Sequence, residues 1–256
     1  MGTVHVVATP IGNLEDITLR ALRVLQQAQR IYAEDTRRTR VLLDHHGIPG
    51  RAGSLHSRNE EARIGEALEC LGRGEDLALV SDAGTPTISD PGARLVAAAA
   101  EAGFRVESVP GASAVLAALT ASGLRTHTFA FLGFLARRGS GRRRLLASYR
   151  ERPEALVLFE APGRVAETLK DLEEALGGER RACAARELTK IHEEVVRGSL
   201  AELSRQFAEG ARGEVTLVVE AQEGAELPTA DALLDEAQLG QRLADLAGQG
   251  LSLIHI

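Results

Sequence analysis

LALVSDAGTPTISDPGARLVAAAAEAGFRVESVPGAS, running from Leu77 to Ser113, holds a whole strand, helix and strand in the order of its residues. Leu77 to Ser81 is a short apolar run and reads as a buried strand. Pro91 to Gly103 follows with a proline start, apolar residues at Leu95, Val96 and Ala99, and a glycine stop, which predicts a helix. Phe104 to Val109 is strand-like again, and the turn PGAS, Pro110 to Ser113, opens a small-residue helix with Ser113 as its cap. Two strands joined by a helix run parallel.

The same alternation extends toward the N-terminus. Val4 to Thr9 is a β-branched strand bounded by Pro10 and Gly12, and a helix with Leu19, Leu22, Val24 and Leu25 starts at Asp16 or Thr18. Ile31 to Ala33 is a second strand, Thr36 to His46 a helix closed by Gly47, and Asn59 to Leu71 a further amphipathic helix. These units predict a mostly parallel sheet covered by helices, in a first domain spanning residues 1–122. Beyond it, strands are expected at Thr128 to Phe134, Leu156 to Phe159, Arg181 to Ala185, Glu193 to Gly198 and Glu214 to Glu220. Helices are expected at Arg142 to Glu151, Arg164 to Leu176 and Leu200 to Glu209. Consecutive strands late in this series imply a mixed sheet in a second α/β domain, residues 123–222, with an acidic linker and a helical tail over 223–256.

A chain of 256 residues that is 44% hydrophobic and 26% charged buries a core, which excludes disorder. Its apolar runs, such as Leu95 to Ala100, fall far short of the ~18 residues that cross a bilayer. No secretory leader precedes the first strand, so a cytoplasmic protein with no membrane partner is expected. Two cysteines, Cys70 and Cys183, build neither a disulfide framework nor a four-cysteine zinc site. With no Trp and 3% aromatics, a base-stacking platform is a poor reading. A net charge of -6 speaks against nucleic acid until its distribution is considered. Ser108 to Arg150 contains seven arginines and no carboxylate, so this window carries +7 and the remainder -13. Its centre, RRGSGRRR at Arg137 to Arg144, is broken by glycines and suits contacts from guanidinium forks to phosphates.

Three loops occupy the ligand-binding position of open α/β sheets, just beyond strand C-termini. ATPIGNLEDIT, from Ala8, is neither a dinucleotide fingerprint nor a Walker loop, because Gly12 stands alone and no lysine follows. SDAGTPTISDPG, Ser81 to Gly92, is richer: Asp82 and Asp90 can hold hydroxyls or a cation, Ala83 to Thr85 expose bare backbone, and Asp90 also reads as a helix N-cap. PGAS is the third. Strand-end carboxylates Glu34, Asp35, Glu160 and Glu187 also have a plain explanation as caps or ion-pair partners. No metal motif and no GxSxG elbow is present.

Seven segments in fixed order carry a resemblance: ATPIGNLEDITLRAL (8–22), AEDTRRTRVLLDHHGI (33–48), SLHSRNEE (54–61), LVSDAGTPTISDPG (79–92), VPGASAVLAAL (109–119), GFLARRGSGRRR (133–144) and ARELTKIHEEVVRGSL (185–200). From about Val4 to Glu220 the chain resembles the ribosomal RNA small subunit methyltransferase I family of the tetrapyrrole methylase superfamily. The resemblance implies two α/β domains around a cleft, a homodimer, S-adenosylmethionine as methyl donor, and small-subunit rRNA or the ribosomal subunit as partner. The acceptor it implies is a cytidine ribose 2′-hydroxyl in the decoding region.

On that basis Pro10, the loop Asp82, Ala83, Gly84, Thr85 and Pro86, the turn Gly111, Ala112 and Ser113, and the strand-end residues Phe134, Pro162 and Leu188 are expected to bind the donor. Displacement at a sulfonium needs positioning and no metal. A ribose hydroxyl does need its proton accepted, and Glu34, His56, Glu60 and Glu187 are the candidates, left open among themselves. Arg37, Arg38, Arg137, Arg138, Arg142, Arg143 and Arg144 are expected on RNA phosphates. About five such contacts predict a salt slope near -3.5 for single-stranded RNA.

Two positions depart from the family pattern, Ala136 in place of a proline and Gly163 in place of a histidine. LSLIHI, at 251–256, matches the translation of a sequencing-adapter end and is expected to be an assembly artefact that shortens the tail. Two other functions stay open at this level. One is tetrapyrrole methylation, disfavoured because ATPIGNL replaces a glycine-rich turn; the other is non-catalytic RNA binding in assembly, which leaves the SDAGTP loop unexplained.

Overall fold

The computed structural model describes residues 1–56, 59–137, 139–222 and 224. The tail over 225–256, with its suspected artefact, lies outside them, as does Arg138. The first half builds β1 (Thr3–Val7), α1 (Leu19–Gln27), β2 (Arg30–Ala33), α2 (Thr36–His45), β3 (Ala52–Ser54), α3 (Glu60–Gly72), β4 (Leu77–Val80), α4 (Ala93–Glu101), β5 (Arg105–Val109) and α5 (Ala114–Ser122). The strands form one parallel sheet in the order β3-β2-β4-β1-β5.

Alternation of side chains along the strands divides the interior into two layers. Val4 and Val6 of β1, with Leu77 and Leu79 of β4, pack on Leu71 and Leu95 from α3 and α4. Val7, Ala78 and Val80 point the other way, onto Ala21 and Leu25 of α1 and Leu43 of α2. Each buried leucine contributes on the order of 1.5–3 kcal/mol. Burial on both faces is why these strands read as continuous apolar runs.

The second half builds β6 (Phe129–Phe134), α6 (Ser140–Ala147), β7 (Ala155–Glu160), α7 (Val165–Leu176), β8 (Arg181–Arg186), β9 (Glu194–Ser199), α8 (Leu200–Gln206) and β10 (Val215–Val219). Its sheet, ordered β6-β7-β10-β8-β9, is mixed: β6 and β7 are parallel, and the other neighbours are antiparallel. One face packs on α7 and α8 through Leu156, Leu158, Leu169, Leu172, Leu200 and Leu203.

The other face is covered from the first half of the chain. Val115, Ala118 and Leu119 of α5 share a cluster with Val157, Cys183, Ala185 and Val218 of the second sheet. The helix follows the first sheet in sequence but covers the second in space, because its small and branched residues fill the space over β7, β8 and β10. A correction concerns α4. Its N-cap is Gly92, with φ of 112°, and the cap makes no side-chain hydrogen bond, so Asp90 is not the cap. Strand β3, three residues including Gly53, was not expected at all.

Candidate active site

A cavity of about 430 Å³ opens where the C-terminal ends of β2, β4 and β7 meet the start of α5 and of β10. Two loops of the first sheet are tied together beside it. Thr9 and Gly84 exchange backbone hydrogen bonds at 2.9 Å in both directions, and the Thr9 hydroxyl donates to the Ser81 carbonyl at 3.1 Å. Gly84 has φ of 80°, and a Cβ there would approach Ile11 Cγ2 at 3.4 Å. Further along the loop, Thr87 and Ser89 hold φ of 72° and 66°. Each such left-handed non-glycine residue costs on the order of 1–3 kcal/mol and is characteristic of functional loops.

Five carboxylates line this cavity, and three of them, Glu34, Asp82 and Asp90, stand on the first-sheet side with its one guanidinium, Arg38. Asp82 Oδ1 accepts the Asp35 amide at 2.8 Å and its Oδ2 lies 3.6 Å from Arg38 Nε, which fixes β2 against the loop after β4. Burial, and then the charge of Asp82, push the Glu34 carboxyl above its ordinary range, with Arg38 opposing. Asp90 is pushed up to about 6 by burial and by the charge of Glu34. Like charges set close together and half-buried resist ionising together. Apolar walls come from Ile11, Ile88, Val115, Phe134, Phe159 and Val215. Phe134 and Phe159 stand 5.6 Å apart, centroid to centroid.

Of the residues expected to bind the donor, Asp82, Ala83, Gly84, Thr85, Ser113, Phe134 and Pro162 line the cavity. The others stand behind them. Pro10 and Pro86 are buried, the Ala112 carbonyl accepts the Thr85 hydroxyl, and Leu188 sits under Ile11 and Val115. Gly111 packs on Ala8, the residue after β1, whose Cβ would lie 3.1 Å from a Cβ placed at Gly111. Ser113 does cap α5, accepting from the Leu116 amide.

Among the proton-acceptor candidates, only Glu34 is a cavity residue. His56 lies close enough for its charge to act on Glu34. Glu60 is a correction: 5% exposed, it accepts the Gly92, Arg94 and Leu95 amides at 3.1, 3.0 and 3.3 Å and so serves as the missing cap of α4. Glu187 is another. Lys190 Nζ at 2.8 Å and the Glu214 amide at 2.9 Å hold its carboxyl below the usual range, which makes it a brace and a weak base.

The arginines divide similarly. Arg137, Arg143 and Arg144 are exposed; Arg37 is exposed and chelates Asp35; Arg38 lines the cavity. Arg142 is a correction, because its side chain is 2% exposed and ion-paired inside the second domain. Ala136 presents its carbonyl to Arg142 and Arg164, and Gly163 has open space around it. Asp90, read from the sequence as a holder of hydroxyls or a cation, lines the cavity, as does the strand-end carboxylate Glu160; sequence reasoning missed Ile11, Phe159, Glu214 and Thr216 as cavity residues. All stand at or beside strand ends, which is the signal that can find them.

The profile of the family Tetrapyrrole (Corrin/Porphyrin) Methylases matches residues 3–204. Ribosomal RNA small subunit methyltransferase I of Pseudomonas aeruginosa is 47% identical over 238 residues, 91% of this chain and 84% of its own length. The protein of that name from Thermotoga maritima is 46% identical over 224 residues, 87% of this chain and 100% of its own. Among solved structures, diphthine synthase superposes with a TM-score of 0.68 at 17% identity, covering 86% of this chain and 90% of its own. Uroporphyrin-III C-methyl transferase from Thermus thermophilus, complexed with S-adenyl homocysteine, superposes at 0.61 with 21% identity, covering 86% and 97%. At these identities the structures show a common fold. With the profile spanning both sheets and relatives close to half identical along the chain, the protein belongs to the tetrapyrrole methylase family, in its ribosomal RNA small subunit methyltransferase I group.

Proposed function

We propose that the chain transfers a methyl group from S-adenosylmethionine to the 2′-hydroxyl of a cytidine ribose in the decoding region of small-subunit rRNA. The observation that carries this reading is the near-half identity to enzymes named for small-subunit rRNA methylation, on a chain whose strand ends form an acidic cavity. The cavity residues fit the donor chemically. Asp82, Asp90 and Glu34 complement its positive sulfonium and ammonium and accept from ribose hydroxyls, while Phe134, Phe159 and Pro162 suit a flat apolar ring. When bound, the donor supplies a methyl group on a leaving group that already carries positive charge. What remains for the protein is orientation and one proton. Glu34, its basicity raised by burial, accepts that proton.

The working form is a cytoplasmic homodimer, as the resemblance implies, for which sedimentation of the purified chain is the check. Among the described residues no helix is long and apolar enough to cross a membrane.

Methyl transfer to small-subunit particles lacking the modification, with mass mapping of the product, tests the function. A ribose-methylated cytidine is expected; methylation of a base, or of a porphyrinoid only, overturns the reading. RNA affinity supplies a second prediction. With Arg142 inside and Arg38 turned to the cavity, the four other exposed arginines among the described candidates (Arg37, Arg137, Arg143 and Arg144) give a salt slope of about -2.8 for single-stranded contacts, less steep than five would. An affinity independent of salt removes the arginine surface from the function.

Asp90 sets the pH response. Because its folded-state value of about 6 lies above the ordinary 3.8, stability falls as pH rises through that window and the penalty is complete above it. Donor affinity moves oppositely, rising as Asp90 ionises. Asp90→Asn is therefore expected to raise the melting temperature by a few degrees at pH ~8 but not below pH ~4, and to flatten the donor-affinity profile around pH ~6. Calorimetry across that range reads both; an unchanged profile refutes the role.

A further inference from the structure

We infer that Arg142 is a positioning residue, which fixes the helix carrying the RNA-facing arginines to the wall of the donor cavity; the inference rests on the proposed function. Arg142 sits on α6 directly before Arg143 and Arg144, yet its guanidinium turns inward. It makes three contacts: Nε to Asp171 Oδ2 at 2.6 Å, Nη2 to Thr168 Oγ1 at 2.9 Å, and Nη1 to the Ala136 carbonyl at 2.9 Å. The first two partners lie on α7, and the third on the loop after β6.

Contacts continue from there to the cavity. The Thr168 hydroxyl donates to Glu160 Oε2 at 2.5 Å, and Glu160, whose side chain is 0% exposed, accepts the Ala161 amide on its other oxygen at 2.8 Å. Arg164 Nη2 stands 3.4 Å from Glu160 Oε2 and donates to the Leu135 carbonyl at 2.9 Å, returning to the same loop. Glu160, Ala161 and Pro162 line the cavity, and Phe134, which precedes Leu135, lines it too. One closed set of two cations and two anions thus joins α6, α7, the end of β7 and the loop after β6.

The chemistry favours geometry over stability as the role of this set. A buried ion network gains little over well-packed apolar residues of the same volume, but it fixes directions that apolar contacts leave loose. Here the fixed relation is between Arg143 and Arg144, which face solvent, and the wall formed by Phe134 and Glu160 to Pro162. RNA gripped by the stripe is thereby held at a set reach from the methyl donor. A displacement of ~1 Å between reacting groups is enough to cost ~100-fold in rate.

The test compares Arg142→Met, Arg142→Lys, the charge-neutral double variant Arg142→Met with Asp171→Leu, and Arg143→Ala. Four quantities are read: melting temperature, salt slope of RNA binding, donor Kd by calorimetry, and single-turnover rate with donor and RNA saturating. For Arg142→Met and the double variant, the slope is expected to stay at the wild-type value while donor Kd weakens several-fold and the rate falls ~10- to 100-fold. Arg142→Lys recovers part of the rate. Arg143→Ala lowers the slope by ~0.7 and leaves donor Kd unchanged. A slope change in Arg142→Met equal to that of Arg143→Ala makes Arg142 a phosphate ligand and overturns the inference. A folded double variant with wild-type rate and donor Kd also overturns it. If rRNA proves not to be the substrate, the proposed function fails, and the change in donor Kd still judges the tie to the cavity wall by itself.

Discussion

Glu34→Gln is expected to lower the single-turnover rate of ribose methylation by about 100- to 10,000-fold, the range of a lost general base. Glutamine keeps the size and a hydrogen-bonding oxygen, so donor Kd should change only a few-fold. Fold stability should hold or rise slightly, since Glu34 loses charge in a half-buried group of three carboxylates. Rapid-quench measurement with donor and RNA saturating separates the outcomes. A rate within threefold of wild type removes Glu34 from proton transfer and turns attention to Asp90, its cavity neighbour. A loss confined to donor Kd makes Glu34 a ligand of the donor and no base.

Glu60→Ala is expected to be the most destabilising of the substitutions considered. The change strips the acceptor from three backbone amides at the start of α4, two of them in buried surroundings. Unsatisfied buried donors cost about 1–3 kcal/mol each, so a loss of about 3 kcal/mol or more follows. In a chain of this size that lowers the melting temperature by roughly 6–12 °C. Glu60→Gln keeps an acceptor and should lose much less. Thermal melts with the donor absent check this directly, and the contrast with Glu34 is informative. A proton acceptor loses rate at unchanged melting temperature, whereas a helix cap loses melting temperature first. An unshifted melt for Glu60→Ala refutes the capping role.

Both α/β layers were legible in the sequence because burial on two faces leaves strands such as Leu77–Val80 apolar throughout, and glycine stops such as Gly47 and Gly103 mark helix ends. What could not be read were partners distant in the chain. Nothing near Gly92 announces that its cap comes from Glu60. Likewise Arg142 reads as one more residue of a basic run. A local signal did exist: Leu146, four residues on, is fully buried, so Arg142 shares the inward face of α6 while Arg143 and Arg144 do not. Strand β3 escaped because three residues with a central glycine carry no periodicity. The cavity was half visible. SDAGTPTISDPG announced itself by composition, but Phe159, Glu214 and Thr216 enter only when β7 and β10 are set side by side.

Helix α5 binds the two halves of the chain together. It leaves the first sheet through PGAS, contributes Ser113, Ala114 and Val115 to the cavity, and buries its far side on the second sheet. Gly12 adds a second seam, since a Cβ there would lie 2.9 Å from the Leu188 carbonyl. Two halves knitted in this way do not swing apart on a flexible tether as jaws do. The halves expressed as separate polypeptides would each present a raw apolar face to water and aggregate.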